Sequence, residues 1–579
     1  MTSMKSRGIR SRRVRVRTLL VSVFAAFVLV GCSSIPTSSP VGHIEDDSGD
    51  TGASNARIPD GPEPGDNVSE IVRGFLAAGA GAGNNFSVAR SFLTEAEAQE
   101  WSPQESVSVL PNDTDIDSLN QDLTSDQKTL SLSAPVVGLV DSSGVYNSTK
   151  PGTQSTLEFS LRQENGEWRI SSAPDGLLIS QSDFRTIFLN YSLQFYTSDY
   201  SYLVPDSRWF LRSSSTPTAL MNELLSGPAP YLSGAVITAI PDGAKLSDSN
   251  VVTIENGVAR VSLGAQTPAP SDREKGLIRQ QISTTLQVIP SISSIELSIG
   301  GQTVSANLQS KTDSSIQVDG PPVVLADNRI SRVSGTTVAK VENSPNLKGK
   351  KASDPAVSLD DSLYVYLQNE RRELMRLKSD AVDATPILKG KRLVRPSIDR
   401  FNTIWTGEAE NKGELKAVGR DGKVFTVTAD FLSGRQLVDV EVSRDGTRVA
   451  LLSRHKGEPD RIDVVGVPRD KAGNPAGRVS ETPISVGANF DEVKDVSWAG
   501  STSLVALAAE EGDTVQPFRI GVTGPSEQLG EVTGGSRIAG GADGRSILVT
   551  SSKGALYSYN SNAWQKLVDV AAKDPSYPG

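Results

Sequence analysis

The chain has 579 residues, 37% of them apolar and 22% charged, which are globular rather than disordered proportions. One cysteine and two histidines exclude an intramolecular disulfide framework and His-based metal clusters, and leave little from which to build a Ser-His-Asp site. The formal charge of −10 makes the chain a poor partner for nucleic acid, whose binding needs clustered Lys and Arg.

The first element in chain order is an export signal. Lys5, Arg7, Arg10, Arg12, Arg13, Arg15 and Arg17 precede an apolar run from Leu19 to Val30, and small residues follow. Leu29-Val30-Gly31-Cys32 resembles the bacterial lipobox. That resemblance implies cleavage between Gly31 and Cys32, an S-diacylglycerol on the Cys32 thiol and an N-acyl group on its new amino terminus. The competing reading, a spanning anchor with an incidental cysteine, is disfavoured because the apolar run has only 12 residues, against the roughly 20 that cross a bilayer. Ser11-Arg12-Arg13 hints at twin-arginine export, but Arg15 falls where such signals prefer apolar residues, so both export routes stay open. The signal holds seven basic and no acidic residues, so its removal takes the formal charge from −10 to −17. Anionic headgroups would repel such a chain, which leaves the tethering to the covalent lipid.

Ser33 to Asp66 reads as a flexible tether rich in Ser, Pro, Gly and Asp. Its 34 residues span about 30 Å as a coil and on the order of 110 Å when extended. The first folded block is expected over 67–185. Val68, Ile71, Val72, Phe75 and Leu76 recur at helical spacing behind an Asp66 or Asn67 cap. Further helices are expected from Phe86 to Leu93 and from Thr94 to Trp101. Leu157, Phe159 and Leu161 alternate, turn at Asn165-Gly166 and return through Trp168 and Ile170, a hairpin signature. Helices followed by antiparallel strands define an α+β domain.

A second α+β block is expected over 190–310. Thr216-Pro217 opens a helix carrying Leu220, Leu224 and Leu225, which Gly227-Pro228 closes. Val251 to Leu263 forms a hairpin at Asn256-Gly257. An amphipathic helix follows with Leu277, Ile278, Gln281, Ile282, Thr285, Leu286 and Ile289, and then a strand from Ile295 to Ile299.

The last block, 321–579, lacks long helical periodicity. An apolar residue, Ser, a polar turn and a strand recur at Ser358, Ser397, Ser443 and Ser497, with a degenerate copy at Gly541. The steps are 39, 46, 54 and 44 residues, the spacing of four-stranded propeller blades. The 259 residues suffice for five or six blades at roughly 45 each. The alternative is a β-sandwich or two small β domains.

Val204-Pro205-Asp206-Ser207-Arg208-Trp209, Leu224-Leu225-Ser226-Gly227-Pro228 and Pro241-Asp242-Gly243 resemble the sporulation and germination (GerMN) domain. Ile71-Val72-Arg73-Gly74-Phe75-Leu76, with Trp168-Arg169-Ile170 and Pro174-Asp175-Gly176, resembles the actinobacterial lipoprotein family LpqB, and the likeness spans essentially the whole chain. It implies a lipoprotein on the outer face of the cytoplasmic membrane. It also implies a non-catalytic accessory role beside the MtrA–MtrB two-component system, through the extracellular part of the sensor histidine kinase, in cell-wall homeostasis and division. Peptidoglycan is a further candidate ligand of the GerMN-like block.

The residues themselves offer little chemistry. Phosphate-binding Gly-rich loops, GxSxG elbows and metal-ligand spacings are absent from the sequence, so neither a catalytic residue nor a cofactor is expected. Asp46, Asp47 and Asp50 read as a solvated linker. Asp360-Asp361 reads as turn chemistry, and His455 as exposed surface. The sequons at Asn67 and Asn190 are uninformative behind a bacterial lipobox. Of Trp101, Trp168, Trp209, Trp405, Trp498 and Trp564, most are expected in the core. Two alternatives to an interaction protein remain. A hydrolase or lyase on wall polymer would show perturbed carboxylates facing each other across the channel mouth, and a receptor for wall fragments would show one deep, largely apolar pocket. A protein-binding module would instead show an exposed apolar patch with a polar rim.

Overall fold

The computed structural model describes residues 59–114, 128–247, 251–266, 269–305, 312–313, 316, 318, 320–410, 413–470 and 472–579. His43, Asp46, Asp47, Asp50, Gly31 and Cys32 lie outside them.

Helix α1, Val68–Ala78, starts where Asn67 and Glu70 exchange side-chain-to-backbone hydrogen bonds in a capping box, and it buries Val68, Ile71, Val72, Phe75 and Leu76. Helices α2, Gly83–Ser91, and α3, Glu95–Glu100, follow; Thr94 caps the latter. The Asn165-Gly166 turn joins Gln154–Glu164 to Glu167–Ser172, with both turn residues at positive φ as a type I′ hairpin requires. Thr129–Pro135 completes that antiparallel sheet. A second sheet has the order Tyr146–Ser148, Gly138–Val140, Val107–Leu110, Leu177–Ser180, its last pair parallel. Helix α4, Gln181–Ile187, closes this α+β region.

The next region opens with the hairpin of Phe188–Tyr196 and Leu203–Leu211. Helix α5, Thr216–Ser226, ends at Gly227, whose φ of 100° and ψ of −177° favour glycine. That turn is locked from below. Arg208 Nη2 reaches Asp206 Oδ2 at 2.7 Å and the Gly227 carbonyl at 2.8 Å, and Ala229 N–H donates to the same Asp206 oxygen at 2.8 Å. Two of the segments singled out in the sequence are thereby one buried device. Helix α6, Asp272–Leu286, crosses over between the parallel strands Val258–Leu263 and Ser294–Ile299. Its buried Gln281 accepts from Ala239 N–H at 2.9 Å and donates to the Gln194 carbonyl at 2.8 Å, so a polar residue on the apolar face is fully used.

From Val323 onward the described residues form six four-stranded antiparallel sheets. Blade 1 combines Val323–Ala326, Arg329–Ser334 and Thr337–Lys340 with Ala572–Ser576 from the other end of the region. Blades 2 to 6 run in sequence order and begin with Ser353–Val357, Ser397–Ile398, Gln436–Val442, Glu492–Ala499 and Gly535–Gly540. These five first strands and Ala572–Ser576 pack against one another in succession around the axis. Pairing the first strands of this region with its last strand in one blade closes the ring and removes its free edge.

In blades 2 and 4 the recurring Ser and Asp sit at the turn after the inner strand, whereas Ser397 and Ser497 lie within inner strands and accept Val442 N–H and Gly540 N–H of the next blade. In blade 4, Ser443 Oγ donates to Asp445 at 2.6 Å while accepting Arg448 N–H at 3.0 Å. Ser358 and Asp360 repeat this in blade 2. Asp399 takes Phe401 N–H and Thr403 N–H in blade 3, and Asp543 takes Arg545 N–H and Ser546 N–H in blade 6. In blades 2, 3, 4 and 6 the repeat therefore satisfies turn N–H groups.

Residues 59 onward pack as one compact unit. A continuous apolar core runs from Leu220, Tyr231 and Leu232 into Val464, Ile484 and Trp498 of the propeller. Trp209 joins all three regions. Its ring lies 4.6 Å from Phe184, and its Nε1 donates to the Thr523 carbonyl at 2.6 Å, while Thr523 Oγ1 donates to the Ser207 carbonyl at 2.5 Å. Arg400 of the propeller pairs with Asp199 at 2.9 Å and stacks on Phe401 and Tyr202. Trp209→Ala is expected to cost about 2–3 kcal/mol, less than a fully buried Trp because the indole is part exposed. Limited proteolysis should then separate regions that stay together in the wild type; an unchanged digestion pattern would contradict this role for the indole.

Candidate functional site

The chemistry of the propeller gathers along its axis. Asp354, Asp439, Asp495, Arg537 and Asp574 stand on inner strands of blades 2, 4, 5, 6 and 1, and Arg395 just precedes the inner strand of blade 3. In all but blade 3 the strand pairing shifts register at or beside the charged residue. A bulge re-aims a side chain that would otherwise follow the two-residue alternation.

The six join in one network. Arg395 reaches Asp439 at 3.0 Å, Glu441 at 2.7 Å and Asp495 at 3.4 Å. Arg537 reaches Asp354 at 2.7 Å, Asp495 at 3.0 Å and Asp574 at 3.6 Å. Arg371, from the blade 2 loop, completes Asp354 at 2.7 Å. Burial alone would raise Asp354, but Arg537 and Arg371 hold it below the usual carboxylate range. Asp495 and Asp574 are pushed up, chiefly by burial. Glu441 is pushed up to about 8 by burial, with Asp439 and Asp495 adding to it, despite its contact with Arg395. The salt bridge and the raised value conflict only superficially, because two further acids share that guanidinium.

These are perturbed carboxylates in a channel, the pattern asked of a hydrolase. Each acid of the network is engaged by an arginine, whereas carboxylate-based glycoside hydrolysis needs two carboxyl groups facing open space for substrate. At the turn end, Tyr577 and Gly579 lie beside Glu441 and Arg444, around a cavity of only about 10 Å³. Arg444 Nε donates to the Pro578 carbonyl at 3.0 Å.

Glu441 gives a signed pH dependence. A folded-state value above the unfolded one means its stabilising share is complete below about 4.5 and lost as pH rises through about 8. Glu441→Gln should therefore match the wild type at pH 5 and melt at a higher temperature at pH 9. Thermal melts at both pH values check it, and a variant retaining the wild-type slope would contradict the assignment.

Other residues singled out in the sequence fall apart in space. His455 lies in an exposed loop beside Glu458, 3.3 Å away. Asp361 sits in the blade 2 turn, against Arg332 and Tyr364. Trp101, Trp405 and Trp498 are buried, and Trp168, Trp209 and Trp564 pack part-buried against cores. The described residues hold no group of three or more His, Cys, Asp and Glu able to bind a metal ion. A cavity of about 1040 Å³ lies in the second α+β region beside Asp199, Arg273, Lys275, Gln302 and Asp313, and its rim is polar rather than apolar.

The fold thus defines a three-region protein whose last region is a six-bladed propeller with a salt-bridged axis. The chain belongs to the lipoprotein LpqB family. The model of the LpqB N-terminal domain matches residues 61–185, that of the LpqB beta-propeller domain 328–578, and the sporulation and spore germination model 191–305. The chain is 28% identical to "Lipoprotein LpqB" of Cutibacterium acnes, with 94% of this chain and 96% of that protein covered. It is 25% identical to that of Thermobifida fusca, over 98% and 99%. Among solved structures, TolB from Acinetobacter baumannii covers 45% of this chain and 66% of its own at 14% identity, with a TM-score of 0.35. A lipoprotein family implies a membrane-anchored, extracytoplasmic protein, and among the described residues no helix is long and apolar enough to cross a membrane.

Proposed function

We infer that the chain is a non-catalytic interaction platform, held by lipid on Cys32 at the outer face of the cytoplasmic membrane. Its partner is the extracellular domain of the MtrB sensor histidine kinase, whose signalling through MtrA it modulates in cell-wall homeostasis and division. The observation that carries the non-catalytic reading is the axial network, in which Arg395 and Arg537 occupy the carboxylates that a hydrolase would keep free. The platform reading is supported by the continuous core between the second α+β region and the propeller, which fixes the spacing of surfaces that a partner would meet. The kinase itself rests on family resemblance.

Photo-crosslinking in intact cells tests the partner. With photoreactive residues on exposed positions such as Val382 and Val424, the captured protein should be the kinase. Capture confined to unrelated membrane proteins, or turnover of wall polymer by the purified chain, would overturn the reading.

A further inference from the structure

The open end of the propeller channel differs in charge from the rest of this acidic chain. A cavity of about 350 Å³ lies there, lined by Arg371, Arg392, Arg454, Lys494 and Arg537, a volume in the range of small-ligand pockets. Arg371 comes from blade 2, Arg392 from the segment entering blade 3, and Arg454, Lys494 and Arg537 from blades 4, 5 and 6. The five cations are up to 166 residues apart in sequence, and only closure of the ring brings them to one rim. One carboxylate, Asp439, also lines the cavity, and Arg395 engages it from beneath at 3.0 Å.

Three of the cations are held in place. Asp354 accepts both Arg371 and Arg537, and Asp460 takes Arg454 Nε at 2.8 Å and Nη2 at 2.7 Å. Arg392 and Lys494 are exposed at the rim. Fixed guanidinium groups beside exposed cations make a preorganised anion site, whose field is focused by the low-dielectric walls of a channel. At the turn end of the inner strands, Tyr577 and Gly579 help line a cavity of only about 10 Å³. Cations converging from five blades suit a multivalent tetrahedral oxyanion better than a single planar carboxylate, which one arginine fork would satisfy.

We propose that this mouth binds a phosphate-bearing ligand, with Arg392 and Lys494 capturing it and Arg371, Arg454 and Arg537 seating it. The inference concerns the propeller alone and does not depend on the identity of the protein partner. Phosphate of this kind could be free, part of a wall phosphodiester polymer, or on a lipid headgroup.

Calorimetric titration of the full chain with pyrophosphate, a short poly(glycerol phosphate) and phosphatidylglycerol vesicles separates these sources, with citrate as the carboxylate control. At least one phosphate probe should bind saturably and more tightly than citrate. Arg392→Gln with Lys494→Gln should weaken that binding at least tenfold while leaving the melting temperature unchanged. The site is overturned if the wild type binds none of the three probes, if citrate binds as tightly, or if the double variant binds as the wild type does.

Discussion

Replacing Arg395 by Ala should destabilise the propeller by about 3–5 kcal/mol, the usual consequence of stripping one partner from a buried ion pair. The side chain is 7% exposed and contacts Asp439, Glu441 and Asp495, themselves 4%, 13% and 0% exposed. Its Nη2 also donates to the Val496 carbonyl. Ala removes the charge and the volume together and leaves carboxylates in a medium where an unpaired charge is costly. Against a typical total stability of about 5–15 kcal/mol, that loss is a large fraction. The effect must also depend on pH. Without the guanidinium the already raised Glu441 and Asp495 values rise further, so the deficit grows as pH rises and shrinks as these acids become protonated. Denaturant midpoints at pH 8 and pH 5 should show the larger gap at pH 8. A gap below about 0.5 kcal/mol at both, the range of an ordinary surface substitution, would show that the network holds nothing together.

The second large effect concerns attachment. Cys32→Ala should move the protein from the membrane fraction to the soluble one without changing its melting temperature. Two or three acyl chains anchor stably where one gives only marginal binding. The chain beyond Gly31 carries a formal charge of −17, so anionic headgroups offer no substitute. The 12-residue apolar run of the signal is too short to hold the variant as a spanning helix. Carbonate-washed membranes should retain the wild type alone, and mass spectrometry of its N-terminal peptide should find the diacylglyceryl mass on Cys32. A variant that stays in the washed pellet would contradict the anchor.

The helix from Val68, the hairpins at Asn165-Gly166 and Asn256-Gly257 and the helix closed by Gly227 are local events, and local rules of capping and turn chemistry find them. The blade period was legible because Ser358, Ser397, Ser443 and Ser497 each recur within or just after an inner strand. Blade 1 escaped it because one of its strands lies at the far end of the region, which no contiguous repeat records. The axial ions were not legible, since nothing local announces that Asp354 and Arg537 are partners across 183 positions. A faint signal existed: Asp354, Arg395, Asp439, Asp495 and Arg537 each stand two or four residues before the repeat position of their blade. An even offset keeps charges on one face of a regular strand, as it does for Asp439, Asp495 and Arg537 beyond their bulges. Trp209 as a three-way joint had no signal at all, because it depends on Thr523 arriving from the propeller.

The reading of this chain as a tethered modulator is tested most directly by kinase activity in a reconstituted membrane. Sensor kinase in proteoliposomes should change its autophosphorylation rate severalfold when the lipidated chain is present. The same amount of Cys32→Ala protein should leave the rate near that of kinase alone, because it lacks the local concentration that a membrane tether supplies. An unchanged rate with the lipidated chain would contradict the account.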